Sequence, residues 1–292
     1  MIQVAAVMAQ AQRITQTYTW GQAVWHVWQP QAHLQPAVAQ AVQAAPLVLL
    51  HGGSGSWTHW VRNVEHIAQY RPVWALDLPG CGDSSLPHGV SDADGLVQPL
   101  AEIFERTFDG AAVDVMGFSF GGMTAGLLAA AHPQRVRELV LVGVPGLGLF
   151  GQGLAMRGMH PDMDEMTQRA VHRHNLQTMM FAHAQSVTDA VIDLQEANVV
   201  RDRLRRRRIA RTDILAKAQT HWQCPVHGVW GAQDALYKGT LTQVPQVLHR
   251  LASFTVVPDA GHWVMFERPE AFHAAIDPLL CRNLTKQLDA QL

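Results

Sequence analysis

Residues 112–122 read AVDVMGFSFGG, and this stretch decides the fold. It begins as a short apolar strand and leads straight into Gly117-Phe118-Ser119-Phe120-Gly121, which fits the pattern G-x-S-x-G. A helix of small residues follows as far as His132, where Pro133 ends it. Small flanking residues let the chain make a tight strand-to-helix turn. We therefore expect the Ser119 hydroxyl at a helix N-terminus, where free N–H groups favour developing negative charge.

On both sides of this turn, short apolar runs alternate with amphipathic stretches, which is typical of a mostly parallel sheet covered by helices. The first two runs alternate in character around Gly21 and predict an antiparallel hairpin. Helical periodicity is found over residues 57–70 and 93–108, and Pro99 predicts a kink in the second of these. The predicted strands are residues 15–20, 23–28, 46–50, 73–78, 112–116, 139–144, 225–230 and 253–257.

The pattern changes between residue 145 and about residue 222, where helical segments rich in Met, His and Arg replace the strands. Strands return after this segment, so the flanking parts belong to one sheet. We predict a core formed by residues 1–144 and 223–292. Residues 145–222 form an inserted helical cap in this division.

Composition excludes several classes of protein. The 292 residues are 48% hydrophobic and carry a formal net charge of −2, which argues against a disordered chain and against a nucleic-acid binder. Cys81, Cys224 and Cys281 form no C-x-x-C pair, which favours reduced thiols. No apolar run is long enough to span a membrane. We expect a cytoplasmic protein without a membrane partner that acts on a small molecule, and a homodimer is left open.

Four motifs follow one another in a recognisable order. They are Leu50-His51-Gly52-Gly53, the run DLPGCGDS at residues 77–84, the Ser119 turn, and Asp259-Ala260-Gly261-His262-Trp263. Together they resemble the α/β-hydrolase superfamily over most of residues 46–275. The resemblance implies the α/β-hydrolase fold, an α/β class with a mostly parallel eight-stranded sheet, helices on both faces and an inserted helical cap. It also implies a serine hydrolase of the esterase or meta-cleavage-product hydrolase type.

The resemblance assigns three catalytic residues. Serine is a weak nucleophile and needs a general base, and His262 occupies the loop that carries this base in the family. Asp234 follows the strand at residues 225–230 and precedes His262, which gives the chain order Ser…Asp…His. Asp259 lies nearer to His262 in sequence, but its place directly after a strand predicts a turn. Some members of the family carry the acid after the preceding strand instead. In this sequence that strand ends near Gly143 and no carboxylate follows it, so Asp234 has no rival there.

The family geometry also places two oxyanion donors and a substrate pocket. The donors are the backbone N–H groups of Phe120, directly after the nucleophile, and of Gly53, with Ser54 as the weaker choice for the second. His51 resembles the structural histidine of the family beside this loop. Trp57 and Trp263 adjoin catalytic loops and are candidates for the pocket. The methionines of the cap suit either an adaptable pocket or plain packing.

Two further groups of residues invite functional interpretations. The arginines of residues 201–211 could bind an anionic substrate, but such runs are more often a solvated face. We expect them mostly in solvent, with at most one turned into the pocket. His172, His174 and His183 have spacings that loosely suggest metal ligands, yet no nearby Cys, Asp or Glu pattern supports them. We therefore expect no metal and no organic cofactor.

The sequence thus favours hydrolysis of a carboxylic ester with small to medium apolar groups. Carbon–carbon bond cleavage in meta-cleavage-type dienone acids is the alternative, because Gly261-His262-Trp263 resembles that group. The elbow of that group typically reads Asn-Ser-Met, however, whereas here it reads Phe118-Ser119-Phe120. A ligand receptor on a hydrolase scaffold is a second alternative, although such a protein need not retain all three catalytic residues.

Overall fold

The computed structural model of the protein describes residues 3–30, 45–149, 153–160, 162–204 and 206–289, with side chains as far as Leu280. Eight strands within these ranges form one sheet in the order β1-β2-β4-β3-β5-β6-β7-β8. The strands are β1 Gln12–Tyr18, β2 Gly21–Trp28, β3 Leu47–Leu50, β4 Val73–Asp77, β5 Val113–Phe118, β6 Val136–Val142, β7 Val226–Gly231 and β8 Leu251–Val257. The predicted eight-stranded α/β fold is confirmed, and most strand ends shift by only one to three residues.

Strand direction follows the predicted pattern. β2 pairs antiparallel with β1 and β4, and Tyr18 faces Gly21 across the tight turn of the opening hairpin. All the other neighbouring strands pair in parallel. Parallel strands end at a common edge of the sheet, and ligands of open α/β sheets bind beyond that edge. The loops after β3, β5, β6, β7 and β8 therefore converge there.

Both faces of the sheet are covered, because successive residues of a strand point to opposite sides. Val48 and Leu50 belong to the core that packs against the helix at Val97–Phe108. Leu47 and Leu49 belong to the opposite core, which contains residues of the last helix. The helices are α1 Val4–Ala9, α2 Val64–Ile67, α3 Val97–Phe108, α4 Phe120–Ala131, α5 Glu165–Asn175, α6 Asp189–Val200, α7 Ile214–Ala218, α8 Val244–Val247, α9 Val264–Glu267 and α10 Pro269–Asp289.

Two predicted helices are split in the structure. Residues 57–70 form a 3-10 turn, Trp57–Trp60, followed by the short helix α2. Asn63 between them has non-helical φ and ψ, and its side chain donates to the carbonyl of Met265. The second predicted helix begins as a 3-10 turn and becomes α3. Pro99 is then the third residue of α3, where an N–H needs no partner within the helix, so Pro99 is not a helix-interior residue.

The segment between β6 and β7 contains α5, α6, α7 and a π-helical turn, Leu176–Met180, and no strand in the parts that the structure describes. It contacts the sheet loops directly. The N–H of Trp263 donates to the carbonyl of Met180 at 2.8 Å. Among the described helices of the whole chain, none is both long and apolar enough to cross a bilayer.

Candidate active site

Ser119 lies at the centre of the edge where the parallel strands end. β5 ends at Phe118 and α4 begins at Phe120, so Ser119 is the single residue of the turn. Its φ of 51° and ψ of −120° are unusual for a residue with a side chain. Such a conformation costs about 1–3 kcal/mol and persists only where the surrounding structure imposes it. The backbone thus projects the hydroxyl away from the strand and beside the N-terminus of a 12-residue helix.

The glycines around Ser119 are required by close chain packing. A Cβ on Gly117 would lie 2.4 Å from the Cα of Gly122. A Cβ on Gly121 would lie 2.3 Å from the carbonyl oxygen of His51. These contacts are with backbone atoms, which cannot move aside as a flexible side chain can. The small residues that suggested the turn in the sequence are therefore explained by its geometry.

His262 and Asp234 complete a hydrogen-bonded chain that starts at Ser119. The Nε2 of His262 lies 2.9 Å from the Oγ of Ser119, and its Nδ1 lies 2.8 Å from the Oδ2 of Asp234. Both residues are buried. A carboxylate accepts hydrogen bonds, so the Nδ1 of His262 carries the proton and Nε2 is free to accept from the serine hydroxyl. This arrangement can deprotonate Ser119.

Asp234 is itself held in place. Its Oδ1 accepts from the N–H of Leu236 at 2.9 Å, so one oxygen serves the backbone and the other serves His262. At the end of β6, Gly143 has a φ of +54°, and a Cβ there would lie 3.2 Å from the Oδ2 of Asp234. That position adjoins the histidine–carboxylate pair but supplies no side chain.

Asp259 makes contacts elsewhere. It has a φ of 58°, which fits the turn predicted after β8. Its carboxylate binds the Nε2 of His183 at 2.8 Å and the guanidinium of Arg268. The hydrogen bond from Arg268 lowers the pKa of Asp259 below its usual range. Asp259 therefore serves a surface ion pair, and Asp234 is the carboxylate that contacts His262.

A cavity of about 510 Å³ opens above Ser119, a size suited to a small organic molecule. Gly53 and Phe120, the two predicted oxyanion donors, line it together with Ser119 and His262. No acceptor within the described ranges takes a hydrogen bond from the N–H of Gly53 or of Phe120. Both groups are thus available to a ligand. The apolar part of the wall consists of Phe118, Pro145, Leu154, Met156, Met179, Met180, Ala210, Ala235 and Leu236.

The two predicted pocket tryptophans do not line this cavity. Trp57 is buried against Trp28 and His26. Trp263 is fully buried, stacks on Phe266 and donates its indole N–H to a backbone carbonyl. The structure thus buries both rings and does not bring them into the described cavity wall. Met156, Met179 and Met180 form part of the wall instead.

The arginine-rich run also departs from expectation, because both Arg207 and Arg211 line the cavity. The Nη2 of Arg207 donates to the Oδ2 of the buried Asp202 at 2.7 Å, and this pair draws the side chain inward. The guanidinium lies 5.3 Å from the centre of the Phe120 ring. Arg205 lies outside the described residues. The described lining residues include two arginines and no carboxylate.

The three histidines with metal-like spacing make separate contacts. His174 bonds the carbonyl of Ala155, and His183 pairs with Asp259. Burial lowers the pKa of His172. No group of three or more His, Cys, Asp or Glu side chains within the described parts of the chain is placed to hold a metal ion. Cys81 and Cys224 are free thiols, and burial raises the pKa of both; the side chain of Cys281 lies outside the described residues.

The sequence analysis overlooked Glu267, a buried carboxylate below the His262 loop. Its Oε2 accepts from the N–H groups of Gly261 at 2.8 Å and Ala182 at 2.9 Å. Its Oε1 accepts from the N–H of His183 and the hydroxyl of Ser186, both at 3.0 Å. Glu267 thus joins the loop that carries His262 to the segment between β6 and β7. A lone acid five residues after a histidine gives no sequence signal of this role.

Comparison with known proteins agrees with this fold. The sequence model of a family described as the alpha/beta hydrolase family matches residues 47–275. The chain therefore belongs to the α/β hydrolase family. The prediction of a hydrolase is confirmed at this level.

Individual relatives cover the chain unequally. It is 31% identical over 238 residues to the dihydrolipoyllysine-residue acetyltransferase component of the acetoin cleaving system from Pseudomonas putida. The aligned residues make up 77% of this chain and 60% of the relative. It is 35% identical over 127 residues to 2-hydroxy-6-oxo-2,4-heptadienoate hydrolase from Pseudomonas putida, and these residues make up 41% of this chain and 46% of that protein. The chain thus matches less than two thirds of the length of either relative.

A solved structure supports the fold. A thermophilic esterase from Thermogutta terrifontis superposes with a TM-score of 0.65 at 20% identity, covering 93% of this chain and 98% of the esterase. At this identity the likeness concerns the fold alone.

Proposed function

We propose that the protein is a serine hydrolase that cleaves carboxylic esters with small to medium apolar groups through an acyl-enzyme. The observation that carries this proposal is the hydrogen-bonded chain from Ser119 Oγ through His262 to Asp234, with distances of 2.9 and 2.8 Å. In this scheme Ser119 is the nucleophile, His262 the general base, and Asp234 holds the imidazole in the required tautomer.

The proposed reaction has two halves. Ser119 Oγ attacks the ester carbonyl while its proton passes to His262 Nε2, and the carbonyl oxygen becomes an oxyanion. The N–H groups of Gly53 and Phe120 stabilise that charge, and each such donor is worth about 10²–10³ in rate. His262 then returns the proton to the leaving alcohol. A water molecule, deprotonated by His262, attacks the acyl-enzyme and releases the acid with Ser119 restored.

We further propose that residues 145–222 act as a cap over a core formed by residues 1–144 and 223–292. The support is that Pro145, Met179 and Met180 contribute to the apolar wall above Ser119. An apolar wall excludes water from the reacting centre and selects apolar acyl or alcohol groups. Movement of such a cap could limit product release.

The test is a panel of para-nitrophenyl esters of graded acyl length, assayed with the wild type and with Ser119→Ala. Loss of the nucleophile should reduce kcat by about 10⁴-fold or more, because the three residues act as a unit. Ser85→Ala is a matched control, since Ser85 lies in the loop after β4 and binds the N–H of Gln22. Wild-type turnover by Ser119→Ala would refute the assignment, whereas loss of turnover in Ser85→Ala would point to a general folding defect.

One observation favours carbon–carbon bond hydrolysis as a second candidate. Arg207 and Arg211 line the cavity; Asp202, outside its lining, pairs with Arg207, and no described acidic side chain pairs with Arg211. Two guanidinium groups would suit the carboxylate of a dienone acid. The elbow Phe118-Ser119-Phe120 still departs from the Asn-Ser-Met typical of that group.

Single glutamine replacements of Arg207 and Arg211 separate the two candidates, with Arg206→Gln and Arg208→Gln as exposed controls. Each variant is assayed on a neutral ester, an anionic ester and a meta-cleavage dienone acid. A selective loss on the two anionic substrates supports carbon–carbon hydrolysis. Equal, small effects on all substrates support the neutral-ester proposal. If the wild type turned over none of these substrates, the result would favour the alternative that the protein is a ligand receptor on a hydrolase scaffold.

A further inference from the structure

The peptide unit that joins Gly52 to Gly53 carries one of the proposed oxyanion donors. In a trans peptide the C=O of one residue and the N–H of the next point in opposite directions within one plane. No described peptide bond is cis. The direction of the Gly53 N–H is therefore set by whatever binds the carbonyl of Gly52.

His51 binds that carbonyl from the side away from the cavity. Its Nε2 accepts from the N–H of Leu78 at 2.9 Å, so Nε2 carries no proton. The proton of the neutral ring must then be on Nδ1, which lies 2.8 Å from the carbonyl oxygen of Gly52 and donates to it. Burial lowers the pKa of His51, which keeps the ring neutral. His51 is fully buried and does not line the cavity.

His59 binds the other end of Gly52. Its Nδ1 accepts from the N–H of Gly52 at 3.1 Å, so its proton is on Nε2. That Nε2–H is buried and has no hydrogen-bond partner within the described part of the chain. A buried unpaired donor costs about 1–3 kcal/mol, so packing alone does not favour a histidine here.

The loop is also shaped to admit the ring of His59. A Cβ on Gly55 would lie 2.3 Å from the Cε1 of His59, and a Cβ on Gly52 would lie 3.3 Å from the Nδ1 of His59 and 2.8 Å from the ring of Phe118. The chain from Gly52 to Gly55 thus passes close to the imidazole on two sides. Without these glycines the contact between Gly52 and His59 could not form.

We propose that His59 is a positioning residue that, together with His51, the counterpart of the family's structural histidine, holds the Gly52–Gly53 peptide with its free N–H aimed at the oxyanion. One histidine fixes the carbonyl of Gly52 and the other fixes its N–H. Gly52 then has no freedom to rotate, and the donor of Gly53 needs no reorganisation when negative charge develops. The inference rests on the proposed esterase function, and it assigns a role to His59, which the sequence did not single out.

The test compares His59→Leu with His59→Asn. Leucine removes the acceptor for the Gly52 N–H, whereas the short amide of asparagine can place an oxygen near the former Nδ1. We expect His59→Leu to lower kcat by about 10–100-fold with KM nearly unchanged, because a misaimed donor weakens binding of the transition state and not of the substrate. His59→Asn should recover much of the loss.

Trp60→Phe is the matched control, since Trp60 lies in the same 3-10 turn and is fully buried, and its indole N–H also has no hydrogen-bond partner among the described residues. It should lower thermal stability without changing kcat. Affinity for a boronic acid, which binds Ser119 as a tetrahedral adduct, should fall with kcat/KM in His59→Leu. The limb of the pH–rate profile that reports the base should stay in place.

Three outcomes would overturn the proposal while leaving the esterase function standing. They are a wild-type kcat in folded His59→Leu, an equal loss in His59→Leu and His59→Asn, or a shift of the low-pH limb that reports the base, which would indicate a disturbed His262. Failure of the wild type to turn over any ester would instead refute the proposed function itself.

Discussion

Replacing the buried Glu267 by glutamine should destabilise the protein by about 2–3 kcal/mol, because the isosteric amide cannot reproduce its hydrogen bonds. The carboxylate accepts four of them, two on each oxygen. A glutamine retains one oxygen, which can serve the N–H groups of Gly261 and Ala182. Its amide nitrogen then faces the N–H of His183, and no hydrogen bond can form because both groups are donors.

The magnitude follows from these contacts. A hydrogen bond to a charged group contributes about 1.5–3 kcal/mol, against about 1 kcal/mol for a neutral one. Two bonds are therefore weakened by roughly 1 kcal/mol each, the bond to His183 is lost, and the hydroxyl of Ser186 can turn to accept from the amide. The backbone at Ala182 and His183 is only partly buried, so water replaces part of that loss. For a chain of 292 residues the sum corresponds to a fall in Tm of roughly 3–5 °C.

Thermal unfolding followed by circular dichroism measures this change, with Glu270→Gln as the control. Glu270 is an exposed acid at the start of α10, and its replacement should change stability by no more than about 0.5 kcal/mol. kcat should also fall in Glu267→Gln, because Gly261 directly precedes His262. A Tm for Glu267→Gln within 1 °C of that of Glu270→Gln, on the order of measurement error, would refute this reasoning.

Two further predictions concern the acid and pH. Asp234→Asn should lower kcat on para-nitrophenyl esters by about 10⁴-fold, since an amide stabilises the wrong tautomer of His262. Asp259→Asn should have only a small effect, and the reverse order would make Asp259 the acid. For His273, burial lowers the pKa from 6.5 to about 4. The stability contributed by its neutral form is complete above pH 6.5 and is lost as the pH falls towards 4. His273→Gln should therefore lose less stability than the wild type when urea unfolding is followed from pH 7 to pH 4, and parallel losses would contradict this.

Much of the fold could be predicted from the sequence, because its decisive contacts are local. The glycines around Ser119 all lie within one turn of chain, so their spacing is visible in the sequence, even though Gly121 is required by its approach to the distant His51. Alternating apolar residues indicated the opening hairpin in the same way. The resemblance to the family, together with the chain order Ser…Asp…His, then named three residues that the structure brings within hydrogen-bond distance.

The rest depends on contacts between residues far apart in sequence. Nothing around Trp263 reveals that its indole N–H binds a carbonyl some two hundred residues away, and so its burial was missed. Arg207 turns inward because Asp202 is buried, and burial of a short acidic residue cannot be read from its neighbours. Glu267 and His59 act by accepting from backbone N–H groups, which every residue except proline offers. Such roles leave no pattern in the sequence.

The most direct test of the central claim is covalent labelling by a fluorophosphonate probe, followed by mass spectrometry of the digested protein. The account predicts one adduct per chain, located on Ser119, because this hydroxyl contacts the His262–Asp234 pair and also lines the cavity. Ser253 contacts His227, which pairs with Glu138, but Ser253 is not among the residues that line the cavity. Ser119→Ala should remain unlabelled, and Asp234→Asn should react slowly. An adduct on another residue, or a folded wild type that does not react, would contradict the account.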